Sequence, residues 1–419
     1  MEAGPRSTTS RAGLGSLFRS PDFVRLWILG GIANAMRWVE MLAAALFTFE
    51  VTGSGMEVAF VSAARALPLL CFGAFVGVLS EAVNRKRILI ASMLLAFAAS
   101  LSICLLQLAS LVQPWHIACA GFVSGTGWAT EMATRRRMVG ECAGTSRISR
   151  AVALDSLTGA FTRMIGPLLG SLSYARFGLI GAFGISATSY LLAALLAKDV
   201  RHEQDTRKLV LSRVPRELAE GFAFARTQPT VLAVLGVTMT MNLFAFSYVA
   251  LVAPIARQVF AVSDALTGAL AGAEPLGSLL GGMVLASVTP KSSPRAMMLG
   301  GSAMFLASLA AMPLMPSFAL ACGALVLGAL GLALFSNMQT ILILTRMPAA
   351  MRSRQLGLIT VSMGIGPLGQ ILIGALTERF GPLNAVIISA LLGLGALGVV
   401  AMLWVRAERP AEDKRSGTE

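Results

Sequence analysis

Charge is what this sequence has least of: Asp, Glu, Lys and Arg make up 13% of it, against 56% apolar residues. A soluble domain carries about a quarter charged residues, so a soluble chain of this size could not cover its own surface. Histidine is reduced to His116 and His202, read as lying in separate loops, and no spacing of ligand residues suits a metal. Nucleophile-elbow, zincin and Walker patterns are missing, so neither an enzyme activity nor a cofactor is expected. The five cysteines (Cys71, Cys104, Cys119, Cys142, Cys322) are scattered through apolar runs, which argues against a disulfide framework. Residues 1–22 are polar, and no secretory leader is expected ahead of Phe23.

What is present is apolar sequence in blocks of about twenty residues, the length that crosses roughly 30 Å of hydrocarbon, with a mean hydropathy of +0.74. In lipid every backbone N–H and C=O must be satisfied within the protein, so such blocks are helices. The expected fold is an all-α integral membrane protein. Its twelve transmembrane spans fall at roughly 23–49, 57–80, 87–110, 114–134, 150–174, 179–197, 230–254, 263–288, 295–314, 317–344, 354–377 and 382–405.

The net charge of +13 does not point to nucleic acid, because the basic residues sit in small clusters between apolar blocks and form no basic face. They set topology instead. Odd-numbered connections carry almost no positive charge, only Arg176, Arg257 and Arg379. The other side holds Arg85-Lys86-Arg87, Arg135-Arg136-Arg137, Arg147, Lys291, Arg346, Arg352, the 198–229 segment and both tails. Positive residues stay cytoplasmic, so both termini are expected inside, in a multi-pass protein of a bacterial inner membrane.

The polar stretch 198–229 divides the spans six and six. The expected organisation is a cytoplasmic tail (1–22), an N-terminal bundle (23–197), a cytoplasmic linker (198–229), a C-terminal bundle (230–405) and a second cytoplasmic tail (406–419). Within the linker, Arg216 to Arg226 has helical periodicity and should lie along the cytoplasmic surface. Arg176-Phe177-Gly178 recurs as Arg379-Phe380-Gly381, and Gly73 and Gly77 recur as Gly277 and Gly281. The shared register points to a duplicated, pseudo-symmetric pair of six-helix bundles.

Several segments carry a family likeness. Leu17-Phe18-Arg19-Ser20-Pro21-Asp22-Phe23 precedes span 1, which contains Asn34 and Trp38 and runs into Glu50-Val51-Thr52-Gly53-Ser54. Ala63-Ala64-Arg65-Ala66-Leu67-Pro68 lies in span 2, and Pro348 to Arg354 joins spans 10 and 11. In that order they resemble the major facilitator superfamily, and within it the branch of bacterial enterobactin-type siderophore exporters and related drug exporters. The resemblance implies two six-helix bundles, alternating access, a small-molecule substrate, protons as coupling ion and a monomer.

Gly77-Val78-Leu79-Ser80-Glu81-Ala82-Val83-Asn84-Arg85-Lys86 resembles the superfamily's loop between spans 2 and 3. Gly77 would allow close helix approach, and Glu81 would meet a helix N-terminus or an arginine. Asn84 would take a left-handed turn, and Arg85 and Lys86 would stay at the headgroups. This is the expected conformational gate, although Ala82 replaces the family's basic residue. Gly159 to Gly170, with Arg163, Gly166 and Pro167, resembles the antiporter motif, which leans towards export.

Charge inside apolar runs is costly and marks function or pairing. Arg37 and Glu40 lie in span 1 on one face with Asn34. Arg65 is in span 2, Arg163 in span 5 and Glu274 in span 8. These six are the expected substrate and proton cavity, with Glu40 and Glu274 as proton carriers. Asp155 and Glu131 lie nearer the cytoplasm. Arg37 departs from the family, which commonly has an acid there. Asn242, Tyr248, Asn337 and Gln339 are candidate liners from the second half. The alternative to a wet cavity is internal pairing, of Arg37 with Glu40 and of Asp155 with Arg163. Uptake or flipping of an anionic metabolite or lipid, and a non-transporting sensor or assembly role, stay open beside export.

The charge asymmetry generates a topology test. A reporter active only in the cytoplasm should work when fused after Lys198 or at the C-terminus, and fail in the 50–57 or 315–317 connections. The reverse pattern would refute the helix count.

Overall fold

A computed structural model describes residues 17–144, 147–201, 213–287 and 292–416, and within these the side chains of residues 74–82, 132–133, 213–215, 217–218, 349–350, 353 and 408–416 lie outside the description. Nine described stretches are long and apolar enough to cross a membrane. Two of them, 148–198 and 354–407, are double-length and break at Gly178 and Gly381, where φ is 64° and 76°. A side chain is strained in that left-handed region, which only glycine enters freely. The repeated Arg-Phe-Gly thus reverses the chain at equivalent points, between spans 5 and 6 and between spans 11 and 12. Span 4, Pro114–Ala143, is less apolar than these nine stretches and completes the twelve.

Span 1 is Pro21–Thr52: Ser20 caps it by accepting from the Phe23 N–H, proline occupies its first turn, and Gly53 ends it at φ 63°. Spans 2 and 3 are Gly55–Ala82 and Arg85–Leu108. Span 4 runs well past its expected end at 134, because Arg135 is buried and paired rather than held at the headgroups. His116, read as a loop residue, lies in the first turn of span 4, where its Nδ1 accepts from the Gln113 N–H at 3.0 Å. His202 and Lys291 lie outside the described residues.

Span 7 is not the continuous helix expected over 230–254. From Pro229–Thr240 it passes into a π turn (Met241–Ala245), a 3-10 segment (Phe246–Leu251) and a second π turn (Ile255–Val259). Such irregular backbone is tolerated at membrane depth only where protein meets the freed carbonyls. Here Ser389 of span 12 and Ser247 both donate to the Phe244 carbonyl, at 2.9 and 3.1 Å. Spans 8, 9 and 10 are Asp264–Ser287, Pro294–Ala311 and Phe318–Arg346. The helix Arg213–Arg226 lies against span 11, where Gln355 donates to the Gly221 carbonyl at 3.0 Å and Arg354 pairs with Glu220 at 3.1 Å.

Small residues set the helix spacing. Gly166 and Gly170 of span 5 face Ala35, Trp38 and the Val39 backbone of span 1 so closely that an added Cβ would collide. Gly277 and Gly281 of span 8 meet the Val326 and Leu330 carbonyls of span 10 in the same way. Between the bundles, Gly268 and Gly272 of span 8 lie on Pro167, Leu168 and Met164 of span 5, and Gly364 and Gly374 of span 11 lie on Leu70, Met56 and Ala59 of span 2. Backbone contact of this kind replaces the hydrophobic effect, which gives no drive between helices in lipid. Gly73 meets only Leu69 of its own helix and makes no such contact.

Gly170→Leu should therefore force spans 1 and 5 apart and cost about 1–3 kcal/mol, the scale of an overpacked interior. Gly184→Ala, which faces open space, should be neutral or slightly stabilising. Melting midpoints in detergent would distinguish the two, and equal midpoints would refute the packing account.

Candidate functional site

Most of the polar residues expected at depth converge in and beside the N-terminal bundle, but with partners other than those expected. Glu40 is buried and pairs with Arg65 of span 2, not with Arg37, and Ser100 of span 3 donates to its other oxygen. Arg65 also donates to the Arg37 carbonyl at 3.1 Å. This three-helix tie borders a cavity of about 360 Å³ that contains Ser62, Ser124 and Phe183. Asn34 is spent on span 5, donating to the Gly159 carbonyl at 3.2 Å and to Thr162.

Arg37 has a different environment. Its guanidinium carbon lies 3.4 Å from the centre of the Trp128 ring in span 4 and 5.4 Å from that of Trp38. A cation over an indole face gains about 0.5–2 kcal/mol. Among the described residues no carboxylate pairs with Arg37.

Arg163 pairs with Glu274, at 2.7 and 2.5 Å to its two oxygens, and not with Asp155. Glu274 is 2% exposed and Arg163 32%. This bond joins span 5 to span 8, hence one bundle to the other. It borders a cavity of about 440 Å³ that both bundles line, with Trp38 and Pro167 from one and Tyr248 and Pro275 from the other. The Arg163 guanidinium also lies 5.5 Å from the Trp38 ring centre, so Trp38 stands between two arginines.

Asp155 belongs to a cluster that the sequence reading missed. Arg135 donates to Glu131, one turn earlier, at 2.5 Å and to Asp155 of span 5. The signal was present as an i, i+4 Glu–Arg pair, but the Arg135-Arg136-Arg137 run masked it as a topology cluster. A second missed cluster lies at the opposite end of the helices. Arg257 pairs with Asp264 at 2.7 Å and with Glu50 at 3.2 Å, while the Tyr174 hydroxyl donates to Glu50 at 2.7 Å. It joins the ends of spans 1, 5, 7 and 8, and only its position at span ends marked it.

Of the other candidates, Tyr248 lines the inter-bundle cavity. Asn242 and Asn337 bond back to Thr238 and Ala333 of their own helices at 2.9 and 2.8 Å, and Gln339 donates to Thr238 across spans 10 and 7. These three act as helix ties. At the expected gate, Asn84 has φ −56° and caps span 3, accepting from the Lys86 and Arg87 N–H groups at 3.0 and 3.3 Å. It makes no left-handed turn. Arg85 is buried and holds both Glu141 oxygens of span 4 at 2.6 and 2.9 Å. The Glu81 side chain and the surroundings of Gly77 lie outside the described residues. Gly159 meets open space, whereas Gly166, Pro167 and Gly170 are buried against neighbours.

Twelve helices in two six-helix bundles, with ionised residues lining a space between them, define a transporter of the major facilitator class. The profile of the transmembrane secretion effector family matches residues 13–417, and the chain belongs to that family. It is 26% identical over 339 residues to the enterobactin exporter EntS of Shigella boydii, covering 78% of each chain. To the multidrug efflux pump Tap of Mycolicibacterium fortuitum it is 25% identical over 394 residues, 89% of this chain and 93% of that one. A bacterial homologue of the lysosomal transporter Spinster, solved inward-facing and unoccupied, superposes with a TM-score of 0.68 at 15% identity, over 93% of this chain and 95% of that one. The nucleoside transporter NupG gives 0.70 at 12%, over 91% and 99%.

Glu40→Gln or Arg65→Gln alone leaves a buried charge without its partner, which costs about 3–5 kcal/mol. The double substitution should cost less than the sum. A thermal double-mutant cycle measures this, and additivity would show that the pair is not coupled.

Proposed function

We propose that this protein exports a small siderophore-like or drug-like molecule across the inner membrane by proton-coupled alternating access, with both termini in the cytoplasm. The observation that carries the reading is the Arg163–Glu274 ion pair, a titratable bond between the two bundles beside a cavity that both line. Protonating Glu274 removes the charge that holds Arg163, so uptake of one proton loosens the contact between halves. Glu40 is the weaker proton carrier, because Arg65 and Ser100 tie it within one bundle.

Of the close inter-bundle contacts described above, Gly364 meets Leu70 at mid-span. Gly268 and Gly272 on span 5, and Gly374 on Met56 and Ala59 of span 2, lie in the halves of those spans that meet the odd-numbered connections, where the Glu50–Arg257–Asp264 cluster adds polar bonds. On the charge rule this end is periplasmic, which reads as a cavity closed to the periplasm and facing inward, the state in which an exporter loads. Export is supported by the likeness to the exporter EntS and the efflux pump Tap, and by the resemblance of Gly159 to Gly170 to the antiporter motif. A gate at Gly77, Glu81, Asn84, Arg85 and Lys86 would work from the cytoplasmic end, with Arg85–Glu141 as its described bond.

Glu274→Gln should abolish accumulation against a gradient while preserving counterflow, which needs no net proton movement. Proteoliposomes under an imposed pH gradient, given a labelled catecholate siderophore or a labelled drug as cargo, would measure both. Normal uphill transport by the variant would refute coupling through Glu274.

A further inference from the structure

We infer that Arg37 and the two tryptophans beside it form an anion subsite that binds a soluble acid, a carboxylate carried on a flat apolar body. The inference rests on the transporter reading and adds the chemistry of the cargo to it.

The four depth arginines are not equivalent. Arg65 is matched by Glu40, Arg135 by Glu131 and Asp155 together, and Arg163 by Glu274. Among the described residues Arg37 alone of the four has no carboxylate partner, and none of the described hydrogen bonds is donated by its guanidinium. Arg37 shares a cavity of about 360 Å³ with Arg65, Ser124, Trp128, Glu131 and Tyr190. The carboxylate there, Glu131, is already held by Arg135 at 2.5 Å. An ionised guanidinium at such depth is costly, and it needs an anion that the resting protein does not supply.

Stacking decides which anion fits. With its flat face 3.4 Å from the Trp128 ring centre, the guanidinium keeps its N–H groups in the plane, free of the ring. That edge is a fork matched to a planar carboxylate. Trp38, 5.4 Å from the same guanidinium, leads on towards the inter-bundle cavity that it also lines. A ligand anchored at Arg37 by its acid group can therefore lay a flat body along indole surface in the direction of Arg163 and Glu274. The bound anion would cancel the unmatched charge and leave the Arg163–Glu274 bond intact for coupling.

Benzoate serves as the probe, with benzyl alcohol as its uncharged counterpart. The full chain in phosphatidylcholine nanodiscs is titrated with each, reading indole fluorescence and melting midpoint. Benzoate should quench saturably and raise the midpoint, and benzyl alcohol should do neither over the same range. Arg37→Gln should weaken benzoate by about tenfold or more, the scale of one charge-assisted hydrogen bond. Arg37→Lys, which keeps charge but loses the fork, should fall between, and neither should lower the midpoint of the unliganded protein. Equal benzoate affinity in Arg37→Gln and parent, or equal response of the parent to the two probes, overturns the inference. So does loss of benzoate affinity in phosphatidylglycerol nanodiscs, which would assign the subsite to a lipid headgroup. Binding is read here without any gradient. An Arg37-dependent benzoate response would therefore stand even if Glu274→Gln transported normally, and coupled transport would stand even if benzoate failed to bind.

Discussion

An ionised side chain in hydrocarbon must find a counter-charge, and the interior of this protein is organised by that requirement. Glu40–Arg65, Glu131–Arg135–Asp155 and Arg163–Glu274 are each made between different spans. Together they tie span 1 to span 2, span 4 to span 5 and span 5 to span 8. The first two lie within the N-terminal bundle and define its internal registration. The third crosses between bundles, and it is the one in which one partner is well buried and the other a third exposed. Pairs enclosed within one bundle are costly to open, and this one is set instead at the boundary between the two.

Close backbone approach makes these bonds reachable. A guanidinium spans only a few ångströms, so spans 5 and 8 must lie near each other where Arg163 meets Glu274. Gly268 and Gly272, set on the Pro167 and Met164 carbonyls, bring them there. Side chains also meet across this boundary, where the Ser171 hydroxyl of span 5 donates to the Ala265 carbonyl of span 8 at 3.1 Å. Stability within each bundle comes from a different set, Gly166 and Gly170 on span 1 and Gly277 and Gly281 on span 10. Packing thus uses separate glycine sets within the bundles and between them.

The fold was legible in the sequence because apolar block length, the charge-poor connections and the Arg-Phe-Gly repeat all point to six and six. The depth charges were legible for the same reason, since Arg37, Glu40, Arg65, Arg163 and Glu274 interrupt apolar runs. Their partners were not. Pairing depends on how each helix is rotated about its axis, and a sequence gives i, i+4 neighbours but not the facing residue of another span. Hence Glu40 was set against Arg37, its neighbour on the same helix, and the true partner Arg65 lies on span 2. Asn84 was misread because asparagine serves equally in a left-handed turn and at an N-cap, and the local sequence does not separate them. The broken backbone of span 7 left no mark, since its carbonyls are satisfied by Ser389, a residue far along the chain.

That break bears on how the second bundle moves. Span 7 carries Tyr248 into the inter-bundle cavity from its 3-10 segment, between two π turns. Loosely wound backbone changes its φ and ψ more cheaply than a regular helix, because fewer i to i+4 bonds have to be given up. The segment also ends beside Arg257, whose bonds to Glu50 and Asp264 close the far side. Opening there requires Arg257 to leave Glu50, which belongs to the other bundle, while it can keep Asp264, which belongs to its own. The irregular backbone, the cavity tyrosine Tyr248 and Arg257 thus lie on one span, which joins the inter-bundle cavity to the Glu50–Arg257–Asp264 cluster at the span ends.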